Sequence, residues 1–325
     1  YANSTESRAL VENCIARKAY RIGFTVDIDG RNVNFVNCKT YDSRQGFHFE
    51  GCYNIKAINC ETERCGSNAM PAIPDQPASY AGGFRLFKFE DVELINCKNG
   101  AYNGTGSDQL GSAGALSKNL KLTGCNNINF GAEDVPADVY KDVSFIDCKN
   151  CGMALWLFKA NIAGRLILNN CYDCTFELSG SGNAEKITYA EVKNYDGKRL
   201  HISNVDSNAV LVMDNVKIRS SYFCTFKDFK HYILGDLVYD WDNSVVDHYP
   251  NLGYRFKSPN MASFTLNSFR TIGAGGGYHI SIEDANAANV KTAVINTLDA
   301  EVTVYNFYNP NNVDVKVLSR KGAAV

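Results

Sequence analysis

The strongest constraint in this sequence is a repeat. Seven segments share an apolar alternation that ends in Asn, Gly or Asp followed by Cys: ALVENC (9–14), NVNFVNC (32–38), NIKAINC (54–60), DVELINC (91–97), NLKLTGC (119–125), DVSFIDC (142–148) and GRLILNNC (164–171). The cysteines stand at 14, 38, 60, 97, 125, 148 and 171, so the steps between them are 24, 22, 37, 28, 23 and 23 residues. A period of this length signals stacked units, none of which can bury its apolar face alone. The two longer steps carry insertions.

Within each unit the apolar residues lie two apart, as in Val33 and Phe35, Ile55 and Ala57, Val92 and Leu94, and Val143 and Phe145. This is strand alternation with one face inward. The residue before each cysteine is of a type that tolerates the left-handed backbone, which predicts a one-residue bend between two strands. Asn37, Asn59 and Asn96 would then stack on successive coils and hydrogen-bond along the stack, a structural role that leaves them no chemistry. A further strand begins at Gly23-Phe24, Gly46-Phe47 and Gly83-Phe84, in the runs GFTVD, GFHFE and GFRLF. Three short strands per coil of about 22–24 residues predict an all-β fold, a right-handed parallel β-helix with coils about 4.8 Å apart.

Weaker versions of the unit, KITYAEVKN, RLHISNVDS and VLVMDNVKIRSS, extend the predicted β-helix over residues 1–232. Residues 233–325 form a second expected domain. An irregular aromatic stretch there precedes what reads as antiparallel strands around an Asn-Pro-Asn-Asn turn, a β-rich region that caps the open helix end or joins protomers.

With 45% hydrophobic and 21% charged residues among 325, the chain can bury a large core. A formal net charge of −2 gives no general attraction to nucleic acid or anionic membrane, so an anionic ligand would need a local basic patch. No apolar run approaches the roughly 20 residues of a membrane helix, and no membrane insertion is expected. The chain opens at Tyr1 without a Met or a signal peptide and reads as a piece of a longer protein. Its twelve cysteines occupy mostly one repeated strand position, which predicts buried free thiols rather than a disulfide framework. Cys148/Cys151 and Cys171/Cys174 have the Cys-x-x-Cys spacing of zinc ligands, but the repeat already accounts for the first cysteine of each pair. Neither a metal nor a cofactor is expected.

If the Gly-Phe phenylalanines point inward, two outward columns result: Thr25, His48, Arg85 and, beside it, Asp27, Glu50, Phe87. Neighbours in a column stand about 5 Å apart. Asp27 beside Glu50 would place two carboxylates within the range of a retaining glycosidase. Arg85, Lys88 and Glu90 are candidate substrate contacts nearby, and Trp156 is a candidate platform for a sugar ring. Two insertions, 65–82 and 98–117, are expected to leave the coil near this strand and wall a cleft, with Asp75 and Asp108 as reserve acids. Glu61 and Glu63 are further reserves. His201, His231, His248 and His279 have no readable partner spacing.

The stacked Asn-Cys units with Gly-Phe strands resemble the pectate lyase-like parallel β-helix superfamily, well over residues 9–175 and poorly over 176–230. Within it, the free cysteines and β-rich C-terminal part are similar to bacteriophage tailspike depolymerases. That resemblance implies a homotrimer on a virion tail, made in the host cytoplasm, that cleaves bacterial capsular polysaccharide or O-antigen; a secreted or cell-surface bacterial protein is the alternative. It supplies no catalytic motif, and the calcium-binding aspartate cluster of pectate lyases has no counterpart here. The leading expectation is a glycoside hydrolase with Glu50 as general acid and Asp27 as nucleophile or base, like-charge proximity keeping one of them protonated. A lyase is the second enzymatic reading, with Arg85 neutralising a uronate and His48 or Lys88 taking the α-proton. The third is a non-catalytic glycan-binding adhesin or structural shaft.

Overall fold

The computed structural model of the protein describes residues 8–69, 81–101, 108–111, 116–132, 139–154, 161–178, 185–203, 205–219, 224–240, 253–272, 280–283, 292–300, 307–308 and 314–321. Among them all regular structure is strand, and the chain is a parallel β-solenoid. It divides into two compact units, residues 1–162 and 163–325.

In the first unit the repeated strands Ala9–Glu12, Arg31–Val36, Tyr53–Ile58, Glu90–Ile95, Leu116–Thr123 and Val139–Ile146 pair in parallel, each with the next. Their register keeps equivalent residues together, Val33 on Ile55 on Val92 on Leu120 on Val143. A short sheet follows the bend, made of Ile15–Arg17, Lys39–Tyr41, Glu61–Glu63 and Lys98–Asn99. The Gly-Phe sheet comprises Ile22–Val26, Gln45–Glu50, Gly82–Phe87, Asp108–Gly111, Asn129–Ala132 and Gly152–Ala154. The core lies between these sheets and includes Phe35, Phe47, Phe49, Phe84, Leu86 and the repeated cysteines from Cys38 onward.

The bend is as the sequence predicts. Asn13, Asn37, Asn59 and Asn96 have φ of 55°, 53°, 52° and 50°. Their amides form a ladder, Asn37 Nδ2 donating to Asn13 Oδ1 at 3.1 Å, Asn59 to Asn37 at 3.2 Å and Asn96 to Asn59 at 3.2 Å. An amide is suited to this site because it carries both a donor and an acceptor and accepts the left-handed backbone. The Gly of Gly-Phe has a different cause. A Cβ at Gly46 would lie 2.5 Å from Thr62 Cγ2 and 2.5 Å from the Gly83 carbonyl oxygen, so the buried threonine of the short sheet leaves no room for one.

All twelve cysteines are free, and all but Cys14 are buried. Burial pushes the Cys52 thiol up to about 12, which keeps it protonated and unreactive. Thiols donate instead to carbonyls of the preceding coil, as Cys97 does to Ala57 O at 3.2 Å.

In the second unit one sheet orders Asn161–Tyr172, Ile187–Gly197, Val205–Arg219, His231–Asp240, Ser263–Ile272, Thr292–Ala300 and Asp314–Lys321. The other orders Thr175–Leu178, Arg199–Ile202, Cys224–Lys227, Tyr254–Lys257, Ile280–Glu283 and Phe307–Tyr308. These pairings correct the expectation of antiparallel strands in 233–325: the pairs formed by Ser263–Ile272, Thr292–Ala300 and Asp314–Lys321 are parallel, and so are those of Ile280–Glu283. Alternation fits either direction. What decides it is the connection, because the residues between successive members of one sheet contain a strand of the other, as in a solenoid coil and unlike a hairpin. Buried Tyr195, Tyr232, Tyr239 and Tyr254 fill the interior here together with Cys171, Cys174 and Cys224. Three of them direct their hydroxyls to carbonyls, Tyr195 to Cys174 O at 2.7 Å, Tyr232 to Phe226 O at 3.2 Å and Tyr254 to Val238 O at 3.1 Å. A buried phenol needs such a partner.

Candidate functional site

The outward column of the Gly-Phe sheet has the register read from the sequence. Thr25 pairs with His48, and His48 with Arg85. On the next strand the backbone of Gln109 pairs with Arg85. Phe24, Phe47 and Phe84 stack face to face on the opposite side, with centroids 5.1 and 5.2 Å apart, and this fixes the direction of the polar side chains between them.

Although it faces outward, the column is largely covered. Arg85 is 0% exposed and His48 is 8% exposed. The Arg85 guanidinium lies 4.8 Å from the centroid of the Phe87 ring. On the same ring the His48 imidazole stacks at 5.4 Å and 19°. Phe87, in the neighbouring outward column as expected, thus serves as a wall for both.

His48 is held at both nitrogens. Nδ1 is 3.1 Å from Gln45 Oε1 and Nε2 is 3.0 Å from Glu50 Oε2. Burial lowers the pKa of the ring below its ordinary value; the Glu50 hydrogen bond opposes this, and the Arg85 charge adds to it. Glu50 is the more accessible partner, its side chain 44% exposed. The pair therefore couples a sheltered imidazole to a carboxyl group open to solvent.

Asp27 lies one residue beyond the paired stretch, which ends at Val26 with Phe49. It is exposed, its Oδ1 accepts from the Ile28 backbone N–H at 3.1 Å, and it acts electrostatically on both His48 and Cys52, as Glu50 does. Asp27 also borders a cavity of about 500 Å³ with Thr25, Asp29 and Arg31, floored by Val11, Phe24, Val33 and Phe35. Glu50 and His48 do not line that cavity.

The remaining sequence candidates fall elsewhere. Lys88 is exposed in a left-handed turn, with φ of 48°. Glu90 opens a strand of the repeated sheet, not the Gly-Phe sheet, and pairs with Lys118 Nζ at 3.5 Å. Asp108 is not a loop acid. It begins the fourth strand of the Gly-Phe sheet, is 0% exposed, and accepts hydrogen bonds from Phe84 N at 2.8 Å, Asn129 N at 2.9 Å and Asn99 Nδ2 at 2.9 Å. The stretch read as an insertion at 98–117 therefore contains two strands of an ordinary coil, Lys98–Asn99 and Asp108–Gly111. Asp75 and Trp156 lie outside the described residues, as do His248 and His279.

Sequence reasoning missed a second polar column, in the second unit. Glu177 pairs in register with His201, and Arg255 with Thr225 on one side and Ser281 on the other. Arg199 bridges Glu177 at 2.5 Å. Burial raises the Glu177 pKa against the lowering influence of Arg199. The signal available was the alternation in TFEL, RLHI, CTFK, YRFK and ISIE, which lack the Gly-Phe that marks the equivalent strand in the first three coils.

No family model, curated protein or solved structure matches this chain.

Proposed function

We propose that this protein hydrolyses a bacterial surface polysaccharide, capsule or O-antigen, with Glu50 as the general acid and Asp27 as the nucleophile or base. A parallel β-solenoid is a fold compatible with polysaccharide-acting proteins, and the resemblance to tailspikes supports a homotrimer on a phage tail as the setting. The observation that carries the chemistry is the Glu50–His48 contact beneath a solvent-open carboxyl group. A neutral imidazole has one N–H. The two nitrogens of His48 face Gln45 Oε1 and Glu50 Oε2, so the ring is held between them and fixes the position of the Glu50 carboxyl group. A general acid must be within reach of the leaving glycosidic oxygen, as the solvent-open Glu50 carboxyl group is, and the exposed Asp27 is the second acidic side chain on the same edge.

The lyase assignment loses its anchor in the burial of Arg85, since a guanidinium with no exposed surface does not meet a uronate carboxylate. His48 is better described as a positioning residue for Glu50 than as the base.

Incubation of the protein and its Glu50→Gln variant with capsule and lipopolysaccharide preparations, followed by gel filtration, tests the reading. The parent shortens one polymer and creates reducing ends without absorbance near 235 nm, and the variant loses at least about a hundredfold in rate, the usual worth of a general acid. Equal cutting by both refutes the Glu50 assignment. Absorbance at 235 nm would establish elimination instead. Retention of a polymer without shortening would leave a glycan-binding adhesin.

A further inference from the structure

The repeated cysteines of the first unit stack in a column that begins at Cys14. Cys14 and Cys38 hold the same place on successive coils, each directly after an asparagine in the left-handed backbone, Asn13 with φ of 55° and Asn37 with φ of 53°. The flanking strands keep the two in register. Glu12 pairs with Val36 before the bend and Ile15 with Lys39 after it, and the Lys39 backbone N–H donates to the Cys14 carbonyl oxygen at 2.9 Å. Their backbones are therefore one strand spacing apart, about 4.8 Å. Their thiols are in hydrogen-bonding contact. Farther along the column Cys60 contacts Cys97, Cys97 contacts Cys125, and Cys125 contacts Cys148 in the same way.

Exposure separates the first member from the rest. Cys14 is exposed, Cys38 is 0% exposed, and every later cysteine is buried. The cause is position: Ala9–Glu12 and Ile15–Arg17 are the terminal strands of their sheets, with no described strand stacked beyond them. A reagent in solution therefore meets one thiol and finds a second directly behind it. Disulfides join cysteines whose Cα atoms are about 4.4–6.8 Å apart, a range that includes one strand spacing. The other contacting pairs meet the same condition, but burial closes them to a reagent.

We propose that Cys14 and Cys38 form a modification site for low-molecular-weight disulfides, with Cys14 as the entry thiol, Cys38 as the resolving thiol and a Cys14–Cys38 bridge as the product. The Cys14 thiolate attacks one sulfur of the small disulfide, a mixed disulfide forms on Cys14, and the first small thiolate leaves. Cys38 then passes its proton to that thiolate and attacks the Cys14 sulfur, releasing the second small thiolate. The two cysteines lose two electrons and two protons, and the reagent carries them away as two thiols. Burial raises the pKa of Cys38, which makes the second step the slower one. The bridge closes the segment that contains Asp27 and ties the terminal coil to the next. It is independent of any action on glycans.

The test treats the folded full chain with oxidised glutathione at mildly alkaline pH, where free thiols ionise, then blocks the remaining thiols and maps tryptic peptides by mass spectrometry. Cleavage after Arg8, Arg17, Arg31 and Lys39 places Cys14 in 9–17 and Cys38 in 32–39, each peptide with a single cysteine. The expected result is these two peptides joined, with the other cysteines unmodified and the bond reversed by dithiothreitol. Cys14→Ser should leave the folded protein unreactive, and Cys38→Ala should retain glutathione on Cys14. The proposal is overturned if the parent keeps glutathione on Cys14, if another cysteine reacts first, if no thiol reacts, or if Cys14→Ser reacts as fast as the parent. Should the buried Cys38→Ala change prevent folding, the parent's peptide map and the exposed Cys14→Ser variant decide the question by themselves.

Discussion

Asp108 offers the sharpest test of how the coils are tied together. Its carboxylate is buried and joins three strands' worth of donors: the backbone N–H groups of Phe84 and Asn129 and the side-chain amide of Asn99. Asn99 is itself oriented by Thr62, whose hydroxyl donates to Asn99 Oδ1 at 2.6 Å. Asp108→Ala removes one acceptor group and leaves three donors without it, two of them buried. At about 1–3 kcal/mol for each unsatisfied group, less what local relaxation and water recover, the loss is about 4 kcal/mol. Asp108→Asn keeps the shape but turns one oxygen into a donor facing other donors, for a loss of about 2 kcal/mol. Urea denaturation measures both, and hydrogen exchange at the Phe84 and Asn129 amides reports the same loss locally. If both variants unfold within about 0.5 kcal/mol of the parent, the typical effect of a neutral surface change, the structural role is refuted. If Asp108→Asn abolishes polymer cleavage at unchanged stability, Asp108 belongs to the chemistry after all.

Two further predictions concern stability. His201 has its pKa depressed to about 4 from an ordinary value near 6.5, so the folded state binds fewer protons than the unfolded state between those values. Its contribution is complete above pH 6.5 and declines as pH falls toward 4, by up to about 3 kcal/mol; His201→Gln should flatten the stability profile in that window, and an unchanged slope would refute the assignment. Phe47 is 0% exposed and sits between Phe24 and Phe84, so Phe47→Ala should cost about 3–5 kcal/mol in denaturant unfolding, and a loss under about 1 kcal/mol would show that the stack is not what holds these coils.

The column Thr25, His48, Arg85 was legible because a parallel coil keeps its period: once Gly-Phe marks the strand start, the register of every later residue follows. The Asn bends were legible for a similar reason, since a left-handed residue is restricted to few residue types. Asp108 was not, because its strand DQLG lacks the Gly-Phe marker and its length matches that of an insertion. Nor was the polar strip in the second unit, whose strands show only short alternations that periodicity does not distinguish from ordinary surface.

The sequence by itself determined the coil: its length, its three-strand composition in the first four coils, its bends, its inward phenylalanines and its free cysteines. These depend on interactions between equivalent positions, which a repeat displays directly. Only the tertiary structure decided burial, partners and strand direction in the last hundred residues. It set His48 and Arg85 against Phe87 and enclosed Asp108 among backbone donors. In the second unit it placed Lys227 beside Lys257. Such features arise where side chains of different type, from different coils, meet, and the period of a repeat carries no information about what covers a given position.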